Sequence, residues 1–188
     1  MAFQTSRISE PETHLPLASE SERLHQLHAC GILSQTEDPR FQRLVETIAD
    51  FFHAPMACFS VIDAGQQILL ARQGLEDPVT DRAASFCQYT IRQYGVLAVE
   101  DAAITPPFSS NPFVLGPPHI RFYAGAPVII DRRHAIGSLC ILDTEPRHLD
   151  PAETQMLDHF AVLLATMVES DIGAPDRITS SARHGGAA

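Results

Sequence analysis

Basic residues are scarce in this chain: 13 Lys and Arg stand against 23 Asp and Glu, a net charge of −10 over 188 residues. No run of positive charge is available to track a phosphate backbone, which excludes nucleic acid as a direct partner on electrostatic grounds. Long apolar runs are missing as well. The longest, Phe160 to Val168, has nine residues, where about 20 are needed to span a bilayer. The opening stretch MAFQTSRISEPETHLPLA holds nothing like the apolar core of a secretory signal. The expectation is a soluble, cytoplasmic protein with no membrane partner.

Cysteine pairs at recognisable spacing are also lacking. Cys30, Cys58, Cys87 and Cys140 are far apart, with no CxxC and no Cys/His pair at metal-ligand spacing. No metal site is therefore expected, and reduced thiols are. Nine His residues are scattered, and no His, Ser or Cys stands beside an identifiable base and orienter. With no catalytic constellation in view, the chain reads as a protein that is not an enzyme.

What is present suits one globular domain: 45% hydrophobic and 19% charged residues, in a length that supports one core. Residues 1–18 and 171–188 are polar and patternless and read as disordered tails. The folded domain is expected over 19–170. Ser19 with Glu22 makes a capping box for a first helix that ends at Gly31. Asp38-Pro39 opens a second, with Phe41, Leu44, Val45, Ile48 and Phe52 at helical spacing.

After Pro55 the pattern changes to β-favouring segments. MACFSVID and QQILLARQG, joined at Ala64-Gly65, read as a hairpin. Arg82 to Tyr94 reads as a helix and LAVED as a short strand. Five prolines between 106 and 118 make the next segment a structured loop, since proline lacks the donor that ladders and helix interiors need. RFYAGAPVII and AIGSLCILD are strands whose short connection requires antiparallel pairing. A last helix starts at Asp150-Pro151 with Glu153 in its first turn. Met156, Phe160, Leu163 and Met167 form one stripe of it, and Leu157, Ala161, Leu164 and Val168 another. The helix has either one wide core face or a second face for another subunit.

Six segments in register over about 85 residues carry a resemblance: FSVID at 59–63, SFC at 85–87, VEDA at 99–102, FSSNPFV at 108–114, RFYAGAPV at 121–128 and GSLCILD at 137–143. In this order the chain resembles a GAF domain, of a subgroup found in bacterial sensors. The resemblance implies an α+β, PAS-like fold. In it a central antiparallel sheet carries the N- and C-terminal helices on one face, and a loop- and helix-covered ligand pocket on the other. It also implies a sensory function, the binding of a small molecule. Members that bind cyclic nucleotides share an Asn-Lys to Phe to Asp-Glu signature that cannot be placed here. Cys87 is followed by Gln88, not by the His of a bilin-attachment Cys-His. The closely placed cysteines of members that reduce free methionine sulfoxide have no counterpart. The cofactor, if any, is left unknown.

Phe86, Cys87, Asp101, Phe108, Asn111, Tyr123 and Cys140 are the expected ligand-binding residues. Several have a structural reading beside the functional one. Cys87 and Cys140 suit burial as small apolar residues as well as a redox role. Asp101, Asn111 and Asp143 suit loop bracing. Phe108 and Phe113 either roof the pocket or pin the loop. Tyr123, followed by Gly125 and Pro127 on one strand face, suggests open volume beside a phenol. A homodimer through the first and last helices and a separate signalling effector are the expected partners, because about eighteen residues after the last helix leave no room for an output domain. The alternatives are a dimerisation module with a vestigial pocket and a cysteine-based redox sensor.

Overall fold

The computed structural model describes residues 16–36 and 38–172, so of the tails expected at 1–18 and 171–188 the parts 1–15 and 173–188 lie outside the described residues, while Asp171 and Ile172 continue the last helix instead of opening a tail. Leu17 and Ala18, read from sequence as part of the first tail, make specific contacts. Ala18 N donates to Arg133 O at 2.8 Å, and Leu17 packs on the domain.

Helix α1 (Glu20–Ala29) opens where the capping box predicts: Ser19 Oγ accepts from Glu22 N, and the Glu22 carboxylate accepts from Ser19 N at 2.9 Å. Gly31 follows its end at φ +73°, the left-handed position that glycine adopts freely. Helix α2 (Pro39–Phe51) is capped by Asp38 and buries Phe41, Val45, Ile48 and Ala49 as one face.

Six strands follow: β1 (Met56–Ile62), β2 (Gln66–Gln73), β3 (Val79–Asp81), β4 (Leu97–Val99), β5 (Phe122–Ile130) and β6 (His134–Asp143). They form one sheet in the order β3-β2-β1-β6-β5-β4, with every neighbouring pair antiparallel. The two predicted hairpins are β1–β2 and β5–β6. The pairing of β1 with β6 is long-range and brings them side by side at the centre. Strand β3, three residues long, is too short to show an alternation and escapes the sequence pattern.

The helix expected over Arg82–Tyr94 is broken. A single 3₁₀ turn, Arg82–Ala84, is capped by the Asp81 side chain, and Ser85 then takes extended backbone with ψ 132°, which no helix can pass through. Only α3 (Cys87–Thr90) remains helical. The Pro-rich segment holds a further short turn, α4 (Pro112–Leu115), capped by Asn111.

Helix α5 (Pro151–Ile172) starts with a reciprocal cap, Asp150 N to Glu153 Oε2 at 2.9 Å and Glu153 N to Asp150 Oδ1 at 2.8 Å. Its stripe of Leu157, Ala161, Leu164 and Val168 is buried, whereas Met156 and Leu163 of the other stripe, and Val162, are exposed.

Strand alternation divides the interior in two. Ala57, Phe59 and Val61 of β1, with Phe122, Ala124 and Ala126 of β5 and Leu139 and Ile141 of β6, pack against α1, α2 and α5. Met56, Cys58, Tyr123, Cys140 and Leu142 point to the other side, against the segment from Phe86 to Ile120. The three long helices thus occupy one face and leave the other to loops and short turns. Among the described residues no helix is long and apolar enough to cross a membrane.

Candidate functional site

The loop-covered face encloses a cavity of about 330 Å³, within the size range of small-molecule sites. The sheet supplies Cys58, Gln67, Leu69, Tyr123, Cys140 and Leu142; the cover supplies Leu75, Phe86, Cys87, Phe113 and Ile120 among others. Polar groups are few. Thr80 Oγ1 donates to Gln67 Oε1 at 3.3 Å, and Ser85 Oγ is buried with no partner. Glu76 and Asp77 are exposed members of the wall, and no Lys, Arg or His belongs to it among the described residues.

Three thiols gather on one side of the cavity. Cys58 and Cys140 are register partners on β1 and β6, with sulfurs 3.2 Å apart, and the Cys87 sulfur lies 3.8 Å from that of Cys140. All three are free and buried. Cys87 Sγ also accepts from Gln67 Nε2 at 3.3 Å and from the Tyr123 hydroxyl at 3.5 Å. The phenol is fully buried and satisfied: its oxygen lies 2.6 Å from Thr90 Oγ1 and 3.4 Å from Ser138 Oγ.

This packing separates the acidities of the two adjoining thiols. The Cys140 thiol beside it holds Cys87 down, to about 6, against the opposing effect of burial, with help from Tyr123. Cys140 is pushed up well above the ordinary thiol range by its contacts with Cys58 and Cys87 and by burial. Burial, then the neighbouring Cys87 and Cys140, raises Tyr123 as well. Of these two sulfurs Cys87 thus ionises first, while Cys140 and Tyr123 keep their protons and donate. Among the described residues no three His, Cys, Asp or Glu side chains are grouped to hold a metal ion.

The structure brings Phe86, Cys87, Tyr123 and Cys140 together on the cavity wall and leaves Asp101, Phe108 and Asn111 off it. Phe108 stands behind the wall, stacked on Phe86 with ring centroids 4.9 Å apart. Asp101 is engaged bidentately by Arg121 at 2.7 and 2.6 Å, which holds its carboxyl below the usual range. Asn111 accepts from Phe113 N at 2.9 Å and donates to Ala84 O at 2.8 Å. The open volume expected beside the Tyr123 phenol at Gly125 is filled by the phenol itself: a β-carbon on Gly125 would meet its oxygen at 2.1 Å.

Cys58, Gln67 and Ser85 are wall residues that the sequence reading missed. Cys58 alternates with Phe59 in MACFSVID, so its face was legible. That it lies beside Cys140 depends on the long-range pairing of β1 with β6.

The family model described as GAF domain matches residues 36–168. A cyclic di-GMP phosphodiesterase of Pseudomonas aeruginosa is 39% identical over 141 residues, which are 74% of this chain and 24% of that protein. The chain thus spans about a quarter of the length of the curated relative it matches. Solved structures that share its fold include the following two. The GAF domain from Acinetobacter phosphoenolpyruvate-protein phosphotransferase is 15% identical, with 85% of this chain and 99% of that one covered and a TM-score of 0.62. Free methionine-R-sulfoxide reductase from Neisseria meningitidis, in complex with its substrate, is 16% identical, with 85% and 98% covered and a TM-score of 0.59. These names correct the expectation that the chain is not an enzyme. It rested on the lack of a recognisable catalytic constellation, yet the sequence relative and one of the fold relatives are both named as enzymes.

Proposed function

Since the chain belongs to the GAF domain family, a family of sensory and regulatory modules, we propose that its cavity binds a small neutral or cationic molecule with a largely apolar body, and that occupancy is signalled to an output partner. The wall composition carries this reading. Apolar side chains dominate it, Glu76 and Asp77 are its charged residues, and a phosphate or carboxylate would find no guanidinium, ammonium or imidazole to pair with. The buried, unpartnered hydroxyl of Ser85 adds a polar group beside the space.

The cover is built of short turns and proline-rich loop, so occupancy has a segment to reorder. The 39% identity to a cyclic di-GMP phosphodiesterase supports an enzyme of cyclic di-GMP turnover as the output. For a homodimer, support comes from the exposed Val162 and Leu163 of α5. The outward residues of α1 are polar, among them Glu22, His25 and His28, so α5 supplies the apolar part of that interface.

Native mass spectrometry of freshly purified protein, followed by a thermal-shift screen of amines and neutral metabolites, tests the reading. A bound small molecule or a raised Tm is expected, lost in Leu69→Trp, which fills the cavity. A ligand-free spectrum together with an unmoved Tm across the screen overturns it.

A further inference from the structure

Three of the four cysteines meet at the cavity wall, and ligand recognition leaves their arrangement unexplained. Cys30 is the exception. It closes α1 apart from the others, its thiol donating to Leu27 O at 3.2 Å. Cys58 and Cys140 face each other directly across antiparallel strands, a relationship that sets the Cα atoms about 4.5–5.5 Å apart, inside the roughly 4.4–6.8 Å that a disulfide bridges. Their sulfurs, 3.2 Å apart, need to close by only about 1 Å to reach the bonded length of about 2.05 Å. Cys87, at 3.8 Å from Cys140, extends the pair into a chain of three with Cys140 in the middle.

We propose that Cys87, Cys140 and Cys58 form a thiol relay: a small hydroperoxide entering the cavity oxidises Cys87, and the oxidation comes to rest as a Cys58–Cys140 disulfide across β1 and β6. The three sulfurs are shielded from bulk solvent but all border the cavity. That access admits a small peroxide and excludes a bulky peptide disulfide. Gln67 Nε2 and the Tyr123 hydroxyl point donors at Cys87 Sγ, which stabilises a thiolate there and not on its neighbours. The depressed titration point of the Cys87 thiol and the elevated one of Cys140 agree with this order of reactivity.

The steps balance. The Cys87 thiolate attacks one peroxide oxygen and the O–O bond breaks. The other oxygen leaves with a proton as water or an alcohol, and Cys87 becomes a sulfenic acid, oxidised by two electrons. Cys140 sulfur then attacks Cys87 sulfur and expels water, which forms a Cys87–Cys140 disulfide. Cys58 sulfur finally attacks Cys140 sulfur, Cys87 leaves as its thiolate, and the strand pair is bonded. Overall two thiols and one hydroperoxide give one disulfide, water and water or an alcohol. The relay operates whatever ligand the cavity takes, so its test is separate from the binding screen.

Hydrogen peroxide is the probe. The purified chain is treated with a small excess, alkylated, digested and mapped by mass spectrometry. The expected result is loss of two hydrogens, a Cys58–Cys140 cross-linked peptide, and Cys30 and Cys87 both alkylated. Cys87→Ser is expected to slow the cross-link at least about tenfold, and Cys58→Ser to leave Cys87–Cys140 as the end product. If these variants fail to fold, a sulfenic-acid trap in the unmutated protein is expected to label Cys87 before the cross-link appears. The proposal is overturned by any of four results: three thiols that stay alkylatable in the oxidised, folded protein; a cross-link at undiminished rate in folded Cys87→Ser; first trapping on Cys58 or Cys140; or accumulation of sulfinic acid on Cys87 with the other two free.

Discussion

Tyr123 lies across Gly125: a β-carbon added to the glycine would stand 2.1 Å from the phenol oxygen and 2.9 Å from Ser138 Oγ. The absence of a side chain at one position of β5 therefore seats the phenol two residues earlier, from where it reaches Thr90 on α3, Cys87 and Ser138. The end of a tyrosine can sometimes swing clear of an added methyl group, but this ring is fully buried and is held between Phe86 and the sheet. Gly125→Ala is expected to destabilise the domain by about 1–3 kcal/mol, the usual range for overpacking a filled core. Urea denaturation of the two proteins checks it, and an unchanged midpoint would show that the phenol relocates at no cost.

Removing only the hydroxyl separates packing from polarity. Tyr123→Phe keeps the ring and leaves Thr90 Oγ1 without its phenol partner at 2.6 Å, a loss of about 1–2 kcal/mol in a buried setting. The same change removes a donor from Cys87, whose value of about 6 owes part of its depression to Tyr123. The midpoint of Cys87 alkylation against pH is expected to move upward in the variant. A midpoint that stays put while stability falls would mean that Cys140 and the other groups around the thiol set it without Tyr123.

How much of this was legible in the chain follows the range of the interactions. Ser19 with Glu22, Asp38 with Pro39, and Asp150 with Glu153 act over a few residues, and each opens its helix as read. Alternation places Tyr123 and Cys140 on the cavity side and Ala124 and Ile141 on the helix side, because a strand's period of two needs no knowledge of its partner. The meeting of Cys58 with Cys140 spans 82 residues and depends on which strands sit side by side. Between Arg82 and Tyr94 an apolar, helix-compatible stretch is interrupted by the extended Ser85, a choice made by the tertiary fit of the cover. Asn111 shares a motif with Phe113 of the wall and Asp101 stands in another of the matched motifs, but their polar atoms are taken up by Arg121 and by backbone groups.

Asn111 makes the last point testable. Its amide joins the α4 turn to the 3₁₀ turn at Ala84 through two hydrogen bonds, 2.8 Å to Ala84 O and 2.9 Å from Phe113 N. Asn111→Ala removes a cap and a tether together, at an expected cost of about 1–2 kcal/mol. The loss should be local. Hydrogen exchange is expected to quicken over the amides of residues 113–116, which hold Phe113 of the cavity wall, while amides of β1 and β6 keep their protection. Uniformly faster exchange would show that the loop is integral to global stability.

The acid limit of stability should report the junction between α1 and the turn that follows β3. Glu20 accepts from Arg23 Nε at 2.8 Å and from Arg82 Nη1 at 2.6 Å, and Arg23 is itself buried. Chiefly through Arg23, these contacts lower the Glu20 carboxyl from its ordinary 4.5 to about 2. A carboxylate whose folded value is depressed binds its proton more readily in the unfolded chain. Its stabilisation is therefore fully present above pH 4.5 and is lost as the pH falls toward 2. The side chain is half exposed, so solvent screening reduces the effect to about 1 kcal/mol at neutral pH. Glu20→Gln is expected to lower stability by that amount at pH 7 and to match the unmutated protein near pH 2. Paired denaturation curves across that interval check it, and a constant difference down to pH 2 would assign the loss to packing around Arg23 instead of to the charge.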